Sequence, residues 1–326
     1  MIVYLTSSPC IDGADRAILN PQNEFLDRIR ADLPENPRCL FVASSPDDRD
    51  ATCEFGAAMF CAFAGAGIHF SHYDILDRWT EEYAPEMIMD SDFIILAGGH
   101  VPTQNEFFNE LGLEVLLQDY EGIIMGISAG SMNAASVVYM QPEEPGESDP
   151  EFVRFAPGLG LTYANICPHY QKVKDMILDG KRLFEDITYP DSDGNCFFAL
   201  PDGSYLRIDE EGTFLFGEAY LICDGQIEQI SQDGDIVNLD ELEYEKAGPK
   251  RVRLYLLILT QAFVIAVADL TLDAFQAAGY QFLDHQAFGS GQTHGFMGSD
   301  AVIGRGPEAP AAVVHGIALH DDSLVA

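Results

Sequence analysis

Gly126-Ile-Ser-Ala-Gly-Ser131 sets a serine between glycines where two differently patterned stretches meet, which is the arrangement of a nucleophile elbow. Upstream, Gly122-Ile-Ile-Met-Gly-Ile127 is a short apolar run suited to a buried strand, and downstream Ser131-Met-Asn-Ala-Ala-Ser-Val-Val138 can begin a helix. The chain must reverse sharply at Ser128, and glycines on both sides remove side chains that would collide with strand or helix. Such a turn presents the hydroxyl at a helix N-terminus, where unpaired N–H groups stabilise developing negative charge. The same residues also suit a plain strand-to-helix turn with serine caps, so the chemistry depends on partners elsewhere in the chain.

A serine hydroxyl is a weak nucleophile until a base takes its proton and a carboxylate orients that base. Among eight histidines, His169 stands out: in Asn165-Ile-Cys-Pro-His-Tyr170 it follows a predicted strand that Pro168 ends. Catalytic groups in open α/β sheets gather at the carboxyl ends of strands. Asp202 lies just past the strand Phe197–Leu200 and is the candidate acid, although Pro201-Asp-Gly203 alone reads first as a turn. Gly98-Gly99, after another strand, offers an N–H at Gly99 that with the N–H of Ala129 could form an oxyanion hole.

The elements that must position these residues alternate strand and helix from the start. Strands are expected at Ile2–Leu5, Cys39–Ala43, Gly67–Phe70, Phe93–Ala97 and Gly122–Ile127, with helices over about Asn23–Leu33, Asp48–Ala64 and Asn105–Leu117. That is an α/β pattern: a mostly parallel, doubly wound sheet with helices on both faces. The acidic, proline-containing segment Gln141–Pro150 reads as a loop. From Phe197 short strands and Asp-Gly turns predict a C-terminal β-meander. The catalytic domain is expected to span 1–240, followed by an extension over 241–326. Leu254–Ala268 is an apolar run of about 15 residues, shorter than the roughly 20 a spanning helix needs, and reads as a buried or interface helix. Gly289–Ala326 reads as a loosely ordered tail despite His294, His315 and His320.

Seventeen Lys and Arg against 53 Asp and Glu give a formal charge of −36. Such a polyanion repels nucleic acid and anionic membranes but says little about the substrate, and a homodimer is allowed for. Seven cysteines without C-x-x-C spacing argue against a disulfide framework and a zinc site, and favour a reducing cytoplasm. Met1–Ser7 reads as a first strand rather than a signal peptide.

Taken together, the blocks resemble peptidase family S51, the dipeptidase E and cyanophycinase group, whose fold is shared with class I glutamine amidotransferases. The resemblance runs through Ile94-Ile-Leu-Ala-Gly-Gly-His100 with Gln104, Gly126–Ser131, Gly158-Leu-Gly-Leu161 leading to Ile166-Cys-Pro-His-Tyr170, and Ala199-Leu-Pro-Asp-Gly-Ser204, within about residues 1–235. It implies a serine peptidase acting on a small peptide substrate, dipeptidase or exopeptidase in character, with the triad Ser128, His169 and Asp202, an oxyanion hole at Gly99 and Ala129, and an acyl-enzyme. It also implies substrate binding by Gly98, His100, Gln104 and Asp149, and no metal or organic cofactor. Dipeptidase E members have Glu where this chain has Asp202, and the family usually shows Asn where this chain has His100. The carboxylates Glu143, Glu144, Glu147 and Asp149 would repel an acidic N-terminal substrate residue, so the resemblance does not carry aspartyl specificity with it.

Other readings remain. An α/β-hydrolase esterase orders its triad Ser, acid, His, which would pair Asp202 with His285 or His294. A glutamine amidotransferase uses cysteine where this chain has Ser128. A non-catalytic member could bind a small ligand in the same pocket, since fold alone does not establish activity.

Overall fold

The computed structural model describes residues 1–241. The predicted extension, with Leu254–Ala268 and His285, His294, His315 and His320, lies outside the described residues. Five strands are laid down first: β1 (Ile2–Thr6), β2 (Arg38–Val42), β3 (His72–Leu76), β4 (Phe93–Leu96) and β5 (Ile123–Ile127). They lie side by side in the order β1, β5, β4, β2, β3, and each of these pairings is parallel. Beyond β1 the sheet continues antiparallel through Tyr205–Asp209, Gly212–Phe216 and Ile236–Asn238, giving eight strands.

Successive residues of a strand face opposite sides, so a parallel sheet covered on both faces needs near-continuous apolar strands. In β4, Phe93 and Ile95 belong to a core with Phe25 and Ile29 of the helix Phe25–Asp32 and with Met59, Ala62 and Phe63 of the helix Arg49–Gly65. Ile94 and Leu96 point the other way and are equally buried. The helix Arg49–Gly65 starts where the Asp48 carboxylate accepts a hydrogen bond from Ala51 N–H, satisfying one first-turn donor.

The third strand falls at His72–Leu76 rather than at Gly67–Phe70. Ile68 is buried in the core from a loop, which explains the apolar signal there. His72 and Asp74 are exposed while Tyr73 and Ile75 between them are half-buried and pack on the core, the alternation of an edge strand that leaves one side to water. The helix after Ser128 is also shorter than expected, Ala129–Asn133. The β-branched Val137 and Val138 instead enter a short strand, Val137–Tyr139, paired with Phe155–Pro157.

The strands after Cys196 occur as expected but divide between two sheets. Cys196–Ala199, Ala219–Cys223 and Gln226–Ser231 join Asn165–Cys167 in a second, four-stranded sheet. Tyr205–Asp209 and Gly212–Phe216 extend the first. The chain crosses at the Pro201–Gly203 turn and returns at Gly217, whose φ of +90° suits glycine. The second sheet has its own core, in which Tyr139 stacks on Phe197 at 4.1 Å between ring centroids.

One expectation is overturned here. Cys196 and Cys223 stand opposite each other in the antiparallel pairing of Cys196–Ala199 with Ala219–Cys223, and they form a disulfide. Cysteine spacing along the chain carries no sign of this, because the partners are 27 residues apart and meet through strand register. The pairing also removes the cysteine argument for a reducing compartment. Among the described residues no helix is long and apolar enough to cross a membrane.

Candidate active site

Ser128 follows β5 directly and has φ +48° and ψ −106°, a conformation that costs a non-glycine residue about 1–3 kcal/mol. Its surroundings hold it there. Ser128 N–H donates to the Thr6 carbonyl at the end of β1, and Ser131 Oγ donates to the same oxygen. A Cβ on Gly126 would lie 2.6 Å from Ser131 N, so only glycine allows the helix to fold back on its strand. The helix has five residues, so its individual N–H groups matter more than any summed dipole. The N–H of Ala129, in its first turn, has no intrahelical acceptor to reach.

His169 and Asp202 come from neighbouring strands of the second sheet. Asn165–Cys167 and Cys196–Ala199 are parallel, with Cys167 opposite Ala199, so both chains leave the sheet at the same end. Leu200 N–H donates to the Cys167 carbonyl and Tyr170 N–H to the Leu200 carbonyl, fixing the two exits together. His169 then adopts φ +56°. Its Nε2 lies 2.9 Å from Ser128 Oγ and its Nδ1 2.6 Å from Asp202 Oδ1. The structure therefore brings all three expected residues into one hydrogen-bonded chain.

Asp202 is held well below the usual carboxylate range. Burial opposes this, but the hydrogen bond with His169, the Lys172 ammonium and the Ser7 hydroxyl together outweigh it. An ionised Asp202 accepts from Nδ1–H, which leaves Nε2 as the lone-pair nitrogen facing Ser128.

Several supporting residues were not anticipated from the sequence. Ser7, just past β1, donates to Asp202 Oδ1 at 3.0 Å and accepts from His169 N–H at 2.7 Å. Gln171 Oε1 accepts from Asp202 N–H. Lys172 Nζ lies 2.8 Å from Asp202 Oδ2. Ser7 meets its partners across more than 160 residues of sequence, and a lone serine at a strand end gives no local signal.

Gly98 and Gly99 follow β4 and lie against the elbow. A Cβ on Gly98 would come within 3.6 Å of Ser128 Cβ, and one on Gly99 within 2.7 Å of Ser44 Cβ. Ser44 Oγ donates to the Gly98 carbonyl at 2.7 Å. Across a trans peptide the N–H opposes the C=O, so pinning that carbonyl to Ser44 turns the Gly99 N–H away from Ser44. Gln104 is fully buried, against the expectation that it meets substrate. It donates Nε2–H to the Ala97 carbonyl and accepts from Asn133 Nδ2, and so braces the loop from beneath.

His100 has both ring nitrogens engaged, Nδ1 with Thr103 Oγ1 and Nε2 with Glu147 Oε1, each at 2.7 Å. Glu143 Oε1 accepts from Val101 N–H at the start of the helix Val101–Leu111. The N–H groups of Glu143 and Glu144 donate to Glu147 Oε2. These bonds and His100 hold the Glu147 carboxyl below its ordinary range although burial opposes them. Asp149 is exposed, and its carboxylate accepts from Glu151 N–H in a local turn within the loop. Among the described residues no group of three or more His, Cys, Asp or Glu is placed to hold a metal.

The family model of peptidase family S51 matches residues 13–216. A solved structure similar to this chain is that of a candidate peptidase E protein from Listeria monocytogenes EGD-e. It shares 14% sequence identity with a TM-score of 0.46, covering 71% of this chain and 98% of the other. No curated protein matches the chain.

Proposed function

The chain belongs to peptidase family S51 and is a serine-type hydrolase, and on that premise we propose that it cleaves small peptides as a dipeptidase or exopeptidase through Ser128, His169 and Asp202. The observation that carries this reading is the unbroken line from Ser128 Oγ through the His169 ring to Asp202 Oδ1. Ser128 Oγ attacks the peptide carbonyl while His169 Nε2 takes its proton. The carbonyl oxygen becomes an oxyanion, received by the N–H groups of Ala129 and Gly99. His169 passes the proton to the departing amine, which leaves Ser128 acylated. Water then attacks the ester, His169 accepts its proton and returns it to Ser128 Oγ, and the acid product departs. Asp202 keeps Nδ1 protonated and offsets the imidazolium charge in both halves.

The acidic loop supports a substrate class. Glu143 sits on the first N–H of the helix that follows Gly98-Gly99, and Glu147 on His100. Protein carboxylates thus occupy positions beside the elbow where a substrate carboxylate would otherwise be welcome. Neutral or cationic peptides fit this site better than acidic ones. A panel of dipeptides with varied first residues tests the point, and a preference for first-position Asp or Glu would overturn it.

Serine reactivity is tested with a fluorophosphonate probe. Labelling of the wild type that disappears in Ser128→Ala is expected, whereas a folded wild type that takes no label would favour a ligand-binding role.

A further inference from the structure

The two oxygens of Asp202 are treated differently. Oδ1 accepts from His169 and from Ser7. Oδ2 is buried and receives no hydrogen bond of good geometry; its compensation is the Lys172 ammonium, 2.8 Å away. Lys172 reaches it because Tyr170–Val173 forms a single helical turn immediately after His169, with Lys172 N–H donating to the His169 carbonyl. The base and the cation on its acid therefore ride on one turn. On its other side Lys172 Nζ lies 2.8 Å from Asp12 Oδ1. Asp202 is paired with His169 and Lys172, Lys172 with Asp12 and Asp202, and His169 faces Asp202 through Nδ1 and Ser128 through Nε2.

We propose that Lys172 is a positioning residue that sets the pH at which His169 becomes available as base, by sharing the charge of Asp202. This rests on the triad reading above. A cation on Asp202 weakens the field that would otherwise stabilise imidazolium, and it also repels imidazolium directly. Both effects favour the neutral ring that can accept the Ser128 proton. Asp12 acts in the opposite sense by drawing on the same ammonium, so the balance within the line Asp12, Lys172, Asp202 and His169 decides how early in pH the serine is activated. The Asp12 to Lys172 contact is exposed, with side-chain accessibilities of 64% and 43%, and its influence is correspondingly weaker.

The test is the pH dependence of fluorophosphonate labelling at Ser128, read beside the imidazole NMR titration of His169, assigned by its loss in His169→Gln. In Lys172→Met and Lys172→Gln the acid limb of labelling and the NMR midpoint should both move to higher pH by about one unit. Lys172→Arg should stay near the wild type. Asp12→Asn should leave the limb in place or move it slightly lower, whereas a lysine that merely anchors the Asp12 loop would make Asp12→Asn imitate Lys172→Met. A labelled wild type whose midpoint is unmoved in both neutral variants overturns the proposal alone. A wild type that takes no label overturns the triad reading and this proposal with it. An Arg variant that behaves like Met also overturns it.

Discussion

Gly130 lies so close to Leu96 that a Cβ added to it would sit 2.7 Å from the Leu96 carbonyl carbon. The elbow helix is thereby pressed onto the end of β4, the strand that leads into Gly98-Gly99. Backbone cannot yield as a side-chain tip can, so Gly130→Ala should destabilise the fold by about 2–3 kcal/mol, a fall of roughly 5–10 °C in Tm for a domain of this size. Gly65→Ala is the control, because nothing lies within 4 Å of its added Cβ and it should change stability by less than about 1 kcal/mol. Thermal melts of both variants check this, and equal melts would contradict the close approach.

Asp202 has a folded-state pKa below its unfolded value. Its contribution to stability is therefore present above about pH 4, where the unfolded carboxyl is ionised, and is lost as pH falls toward the folded value. Asp202→Asn should flatten the loss of stability below about pH 4, measured by denaturant titrations at several pH values. It should also cut turnover by orders of magnitude, because an amide no longer enforces the Nδ1–H tautomer. Unchanged turnover would mean that another group orients His169 Nδ1.

The disulfide closes a loop of 27 residues that includes Asp202, and by loop-closure entropy it should stabilise the fold by about 3.5 kcal/mol. A reductant should lower the Tm of the wild type and leave Cys196→Ser unaffected. A wild-type melt insensitive to reductant would show the bridge contributes nothing.

Glu147 ties the acidic loop to His100 and closes the turn through Glu143 and Glu144 N–H. Glu147→Gln keeps the shape but removes an acceptor charge, so limited proteolysis within 141–150 should speed up several-fold while the global Tm moves by less than about 2 °C. Cleavage at the wild-type rate would mean the loop is held by other contacts, such as Arg154 donating to the Glu147 carbonyl.

Much of the fold was legible because buried parallel strands leave a strong local mark. Phe93-Ile-Ile-Leu96 and Ile123-Ile-Met-Gly-Ile127 are too apolar to be anything but interior. His72–Leu76 escaped because an edge strand mixes polar and apolar residues, and Val137–Tyr139 because three residues beyond a helix start give no period to read. The division of the late strands between two sheets was beyond reach, since a hairpin turn looks the same whichever sheet receives its second strand.

For the site, the sequence by itself determined the chemical types and their places at strand ends: a serine in a glycine elbow, a histidine after Pro168, an acid in a Pro-Asp-Gly turn, paired glycines after β4. Each is a local backbone requirement, and local requirements are written in neighbouring residues. Tertiary structure alone decided which atoms meet. The parallel register of Cys167 with Ala199 carries His169 and Asp202 out at one end of the second sheet, and Ser7 and Lys172 then divide the Asp202 oxygens with His169. It also turned Gln104 inward and joined Cys196 to Cys223. Register and side-chain direction are set by packing across the whole domain, so no window of the sequence contains them.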